Sequence, residues 1–274
     1  MRLSKLPVAL LGSSGLALGL MMMTTASPTQ GATLPAGAIG SAATAQEGFG
    51  TIKGRLVWGG DKAPEPEKLK VDKDLAVCGK EPLFSRKLVV DPKTKGVAFA
   101  FAYLTAPKGK NPEAEKAMLA KTPIVLLDQV NCEFVPYSVA TMKGQKFEFK
   151  SSDPVAHNAR YSGFSAGTKN LSIPPNGTII TTIAPEKRPY TVNCDIHPWM
   201  NAWIMSFDHP FFAVTDADGS FEITGVPAGK QKFVLWQEAV GYVEGKASGR
   251  EVDVKPGETL DLGEIKLDPA KVKK

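Results

Sequence analysis

The sequence predicts an all-β protein of the sandwich type. From residue 122 onward, short runs with strand character follow one another closely. Turn signals separate them: Lys143-Gly144, Ser152-Asp153-Pro154, Pro174-Pro175-Asn176-Gly177 and Lys187-Arg188-Pro189. Only one stretch, near 112–120, reads as a helix. Glycine (26) and proline (21) are plentiful, as many turns between short strands require.

The elements follow in order. Arg2 and Lys5 start a basic N-terminus, and the apolar run 6–23 and small residues after it read as an export signal, with an uncleaved anchor as the lesser reading because the run is about long enough to span a bilayer. Ala43-Thr44-Ala45 has the small-x-small form of a cleavage site, and cleavage near Ala26 is an alternative. Residues 50–58 alternate and read as a strand. Residues 59–86, rich in Lys, Pro, Asp and Glu, read as a long surface loop pinned by a disulfide through Cys78. Residues 88–91 and 97–104 are strand-like, the latter alternating large and small residues as a strand with one packed face does. Asn111 suits a helix cap and Pro112 the first helical position, giving a short amphipathic helix that ends by Lys121. Strands are then expected at 124–129, 134–139, 146–150, 170–173, 178–183, 190–193 and 202–207.

Residues 211–267 form a second group. Strands 212–215 and 220–224 read as a hairpin around Asp216-Ala217-Asp218-Gly219. That turn lacks the further acidic ligands of a calcium loop. Residues 226–229 turn into 232–237, and 252–254 and 260–267 close the group.

Hydrophobic residues make up 43% and charged residues 22% of the 274, ordinary for a soluble globular chain of one or two domains. The formal charge is +5, and the expected leader holds only Arg2 and Lys5 of it. Basic residues are interleaved with acids, so there is no nucleic-acid footprint. No stretch after the leader is long and apolar enough to span a bilayer. Of the three cysteines, Cys78 and Cys132 are the natural disulfide pair in an exported chain, leaving Cys194 as an odd thiol that needs an explanation.

Residues 190–204 supply one. They read as strand, tight loop, strand, and the loop carries Cys194, His197 and Met200 as Cys-x-x-His-x-x-Met. A thiolate, an imidazole and a thioether within seven residues suit copper, whereas hard ions want oxygen. An electron-transfer copper site needs a further His, and Ala156-His157-Asn158 offers it. Each residue has a plainer reading: a buried free thiol or a mixed disulfide for Cys194, a hydrogen-bonded structural residue for either His, a core methionine for Met200. Their concentration in one loop favours the ligand set. Met205 has the wrong spacing, and His209 reads as structural.

These residues carry three resemblances. Residues 122–207, with Cys194-Asp-Ile-His197-Pro-Trp-Met200 and Asp153-Pro-Val-Ala-His157-Asn158, resemble the cupredoxin (blue copper) family, in particular its amicyanin- and plastocyanin-like members. Residues 50–58, 97–104 and 211–267, most of all 215–229, resemble the carboxypeptidase regulatory-like, or transthyretin-like, domain. The whole resembles exported bacterial proteins labelled methylamine utilisation proteins. The implied organisation is a leader (1–45), the first part of a host β-domain with its long loop (46–121), a Greek-key cupredoxin-type domain (122–210), the remainder of a smaller transthyretin-like sandwich (211–267) and a tail (268–274). The resemblance further implies one mononuclear type 1 copper held by His157, Cys194, His197 and Met200. Asn158 would tie the ligand loops together beside the metal. His197 would reach the surface in an apolar patch with Pro198 and Trp199, where a redox partner such as a c-type cytochrome or a dehydrogenase docks. The implied location is the periplasm or otherwise outside the cytoplasm.

The leading expectation is therefore a single-electron carrier rather than an enzyme. Multicopper oxidases and copper nitrite reductases need more His clusters, and this chain has three His in all. No Ser-His-Asp or paired-carboxylate arrangement stands out. The competing expectations are a copper-binding or delivery protein without a redox role and a metal-free extracytoplasmic binding module.

Overall fold

The computed structural model describes residues 48–273. The expected leader lies outside them. The described chain is all-β as expected, with two short α-helices, α1 (Leu75–Cys78) and α2 (Pro112–Lys121), and a terminal 3-10 turn at Pro269–Lys271. Its strands in chain order begin with β1 (Phe49–Trp58) and β2 (Phe101–Leu104). After α2 come β3 (Ile124–Val130), β4 (Glu133–Val135), β5 (Ser138–Met142), β6 (Lys146–Ser151), β7 (His157–Gly163), β8 (Gly167–Ile173), β9 (Thr178–Thr181), β10 (Tyr190–Asn193) and β11 (Asn201–Phe207). The last group is β12 (Phe212–Val214), β13 (Ser220–Pro227), β14 (Gly229–Gln237), β15 (Gly241–Tyr242), β16 (Arg250–Val254) and β17 (Thr259–Leu267).

Every ladder stays inside one of two groups. Strands β3 to β11 make two sheets, ordered β5-β11-β10-β7-β8 and β4-β3-β6-β9. Their inner faces bury Leu127, Phe134, Phe147, Phe149, Val192 and Ile204. The other strands form β13-β1-β17 and β12-β2-β14-β15, with β16 on β14, around Ile52, Leu56, Phe221, Phe233 and Val254. A third cluster joins the groups: Met205 and Phe207 of β11 pack on Phe101 and Tyr103 of β2 and on Val234 and Trp236 of β14. Trp203 meets Trp236 there at 4.6 Å between ring centroids.

The join explains β2. Its alternation of large and small residues was expected to mark one packed face, but all four residues are buried. Phe101 and Tyr103 face the other sandwich, and Ala102 and Leu104 face their own core. The strand is also shorter than expected. Phe99 stands at φ 64°, where bulky residues are strained, and this ends regular pairing before residue 101. Residues 88–91 and 97–100 form no strand beyond an isolated bridge between Val90 and Val97.

Three more expectations need correction. The run 134–139 is two strands, β4 and β5, because the chain crosses between sheets at Pro136-Tyr137. The hairpin around 216–219 has its tight turn, with Gly219 N–H donating to the Asp216 carbonyl (2.9 Å). Its arms belong to different sheets, β12 pairing with β2 and β13 with β1. Gly219 has φ 82°, and a Cβ there would meet the Leu56 carbonyl oxygen at 2.1 Å. Helix α2 has the foreseen cap, Asn111 accepting from Ala114 N–H at 3.1 Å, but buries none of its residues, so it is not the amphipathic element expected.

The long loop 59–86 is present and fastened. Cys78 and Cys132 form the expected disulfide across a sequence separation of 54. Closure of a loop that long restricts the unfolded chain by about 4 kcal/mol on the chain-entropy account. Leu69 N–H donates to the Leu83 carbonyl and Ser85 N–H to the Glu67 carbonyl, both at 2.8 Å. Arg86 pairs with both oxygens of Glu133 at 2.9 and 2.8 Å. No helix among the described residues is long and apolar enough to cross a membrane.

Candidate metal centre

The centre forms where neighbouring strands meet a tight loop. β10 and β11 pair from Tyr190 opposite Ile204 to Asn193 opposite Asn201, so residues 194–200 must reverse the chain at once. Cys194 N–H donates to the Met200 carbonyl (3.1 Å), and Met200 N–H donates to the His197 carbonyl (2.9 Å). β7 lies on the other side of β10, antiparallel, with Val192 opposite Tyr161 and Asn193 opposite Arg160. That register, continued, brings His157 at the head of β7 level with the loop.

The side chains converge. His157 Nδ1 is 2.9 Å from His197 Nδ1, and Cys194 Sγ is 3.9 Å from the first and 3.8 Å from the second. The point equidistant from these atoms lies about 2.1 Å from each, within the ~2.0–2.3 Å of first-row metal bonds to nitrogen and sulfur. His157, Cys194, His197 and Met200 are all at most 2% exposed. Two imidazoles, a thiol and a neighbouring thioether in one dry cradle are a donor set suited to copper.

Each imidazole turns Nδ1 inward because a carboxylate holds Nε2. Asp153 Oδ2 lies 2.9 Å from His157 Nε2 and also accepts Cys132 N–H at 2.8 Å, while Asp153 Oδ1 accepts Asn131 N–H at 2.7 Å. Asp74 Oδ2, from the long loop, lies 2.8 Å from His197 Nε2. Carboxylates in this position fix a ligand ring's tautomer and orientation. Asn158 locks the loop to β7: its Oδ1 accepts Asp195 N–H at 2.7 Å and lies 3.3 Å from Cys194 Sγ. Its Nδ2 donates to Asn170 (2.8 Å) and to Asp195 (3.0 Å).

These contacts set the protonation pattern of the metal-free centre. Burial alone lowers the His157 pKa; the Asp153 carboxylate and the Cys194 sulfur outweigh it and raise it to about 9. Burial pushes the Cys194 thiol up, but His157 and the backbone N–H groups of Asn158, His197 and Ile196 bring it below its ordinary value. His197 is lowered, by burial first and then by the neighbouring His157, against the pull of Asp74. Asp153 is held below its usual range, its burial outweighed by the bonds from His157, Cys132 and Asn131.

One expectation fails here. His197 does not reach the surface: it is 0% exposed, beneath Asp74. Pro198 is exposed, but Trp199 is tied down, its Nε1–H donating to the Cys132 carbonyl at 3.1 Å with its ring 5.1 Å from that of His197. His209 stands outside the cluster, its Nδ1 accepting Phe211 N–H at 3.1 Å between the rings of Phe207 and Phe211. The sequence reading missed Asp153 and Asp74. Asp153 had a signal in its place four residues before His157, at the head of the segment carrying the resemblance. Asp74 had none, since 123 residues and a disulfide separate it from its imidazole.

No protein-family model matches the chain, and no curated protein matches it. Among solved structures it is similar to amicyanin from Paracoccus versutus, at 16% identity over 38% of this chain and 96% of that one, with a TM-score of 0.27. It is similar to a mutant amicyanin in its Cu(I) state, at 13% identity over 30% and 81% of the two chains and a TM-score of 0.27. It is also similar to a copper-containing nitrite reductase from Thermus scotoductus SA-01, at 23% identity over 30% and 22% and a TM-score of 0.26.

Proposed function

We propose that the chain is an exported copper protein that carries single electrons between redox proteins and catalyses no reaction of its own. His157, Cys194 and His197 would hold one type 1 copper, with Met200 as a weaker thioether donor. The second sandwich would be a transthyretin-like host into which the copper-binding sandwich is inserted, and the donor and acceptor would be redox proteins such as a c-type cytochrome or a dehydrogenase. The observation that carries the reading is the buried triangle of two Nδ1 atoms and one Sγ at 2.9, 3.8 and 3.9 Å.

Copper, when bound, would supply one-electron exchange between its two oxidation states. The protein's part is to hold the donors still. β7 fixes His157, the β10–β11 loop fixes Cys194, His197 and Met200, and Asn158 joins the two. Asp153 and Asp74 keep both Nδ1 atoms free to donate. A cradle this constrained would resist rearrangement on a change of charge, and its burial would keep water from a bound ion.

The burial of His197 favours a second reading, a copper-binding or delivery protein without a redox role, because no imidazole edge faces a partner. The visible spectrum separates the two. The copper(II)-loaded carrier is expected to show an intense blue or green thiolate-to-copper band that Cys194→Ala lacks. A wild type that binds copper and stays colourless overturns the carrier reading.

A further inference from the structure

The loop that covers His197 is built in two parts. Its base is held by backbone bonds between residues 67–69 and 83–85 and by Arg86 on Glu133. Its tip, with Asp74 and α1, has no strand partner. The tip is held by the Cys78–Cys132 disulfide, by the contact of Asp74 with His197, and by Val71 and Val77 packed on the sandwich core. The disulfide sits at the centre itself: a ring nitrogen of His197 and both its sulfurs lie within 4.8 Å of one another. Cys78 N–H donates to the Asp74 carbonyl at 2.8 Å, so Asp74 is placed from the disulfide through one turn of helix. Asp74 itself stands at φ 46°, a left-handed conformation that Asp tolerates.

We propose that residues 69–83 are a disulfide-latched cover over the metal centre, and that Asp74 at its tip is a positioning residue for His197. Reduction of Cys78–Cys132 by a dithiol lifts the tip and opens His197 to solvent. In that step the S–S bond breaks, the dithiol's two electrons and two protons pass to the cysteine sulfurs, and the reductant becomes a disulfide. The base keeps its backbone bonds, so the cover hinges rather than detaches. His157 stays shut: its carboxylate also leans on Cys132 of the disulfide, but through a backbone N–H of the β3–β4 turn that reduction leaves in place. The latched form retains metal and the unlatched form loads or releases it. That consequence rests on the copper reading above, whereas the cover does not.

The test uses the full-length, metal-free protein and diethyl pyrocarbonate, which acylates accessible imidazoles, with each His followed by peptide mass spectrometry. In Cys78→Ser/Cys132→Ser, or in wild type after dithiol treatment, His197 is expected to react at least tenfold faster than in the oxidised protein, with His157 unchanged. A His197 rate within twofold of the oxidised protein overturns the cover. So does an equal rise at His157, which would mean that the disulfide holds the whole sandwich. With the disulfide intact, Asp74→Ala is expected to raise the His197 rate severalfold and Asp72→Ala to leave it unchanged; equal effects overturn the role of Asp74. The ring 15N shifts of His197 should report a protonated Nε2 in wild type and in Asp74→Asn, which still accepts a hydrogen bond, and mixed tautomers in Asp74→Ala. A wild-type pattern in Asp74→Ala also overturns it. Loss of copper(I) to a strong chelator should be at least tenfold faster from the double Ser variant. If the protein takes up no copper while the acylation pattern holds, the copper reading falls and the cover stands.

Discussion

His157 and His197 meet at the same point with the same atom, and each has a carboxylate on its far nitrogen, yet the two halves of the centre are supported differently. His157 lies on β7 between two paired strands, and its carboxylate stands four residues away, 5% exposed and held by two backbone N–H groups. His197 lies on a loop, and its carboxylate comes from a distant segment, 45% exposed and held by a disulfide. Equal chemistry at the imidazoles thus conceals unequal mechanics. The first support fails only if the sandwich fails; the second can be withdrawn while the sandwich persists.

The comparison is most sharply tested at Asp153. Asp153→Ala removes the acceptor of Asn131 N–H, Cys132 N–H and His157 Nε2 together. Each buried donor left without a partner costs about 1–3 kcal/mol, and a water can serve at most some of them. We expect a loss of about 3–5 kcal/mol, a fall of about 10 °C in the melting temperature followed by circular dichroism. A loss no larger than that of Asp74→Ala would erase the asymmetry.

Proton linkage gives the next largest effect. The folded-state pKa of His157 is raised to about 9. A raised base stabilises the fold fully below its unfolded value of ~6.5, and the contribution is lost as pH rises through the folded value. His157 alone accounts for a loss of up to about 3 kcal/mol between pH ~6.5 and ~9.5; the lowered Cys194 thiol gains stability toward alkali and offsets part of it, so the metal-free protein is expected to show a smaller net fall in urea midpoint. His197 works in the opposite sense. Its pKa is lowered, so the unfolded chain binds the proton more readily and stability falls toward acid. In Asp153→Asn the alkaline loss should largely vanish; an unchanged slope would show that His157 is not held by Asp153.

The same asymmetry governs what was legible in the sequence. The strand Tyr190–Asn193 and the start of the Asn111-capped helix are legible in the sequence, because their signals are local: a strand run entering a tight loop in one, a cap and a first-position proline in the other. The Cys-x-x-His-x-x-Met loop was legible for the same reason. Nothing in the sequence marks β7 as a strand. Its buried positions are His157, Asn158, Ala159 and Tyr161, so the polar side chains of the centre occupy places where apolar residues would have marked a strand. Its function hid its structure. The β12–β13 arch looks like a hairpin in sequence because turn chemistry shows that a chain reverses but not which sheet receives each arm. Asp74 was invisible for the most basic reason: its role exists only after a loop with no pattern of its own has been fastened across the centre.

The smallest effect is expected at Asp74, and its smallness is what the comparison requires. Asp74→Ala removes one contact at a carboxylate 45% exposed, where water can take its place and solvent screens the interaction, so that contact contributes about 1 kcal/mol or less. Alanine also fits φ 46° poorly, at a further cost of about 1 kcal/mol. Asn tolerates that conformation and keeps an acceptor, so Asp74→Asn should melt within about 2 °C of wild type, with Asp74→Ala below it and both well above Asp153→Ala. Copper affinity should fall about tenfold in Asp74→Ala, the low end for loss of a carboxylate behind a ligand imidazole. If Asp74→Ala instead unfolds the sandwich as Asp153→Ala does, the cover is part of the core, and the two halves of the centre are supported alike after all.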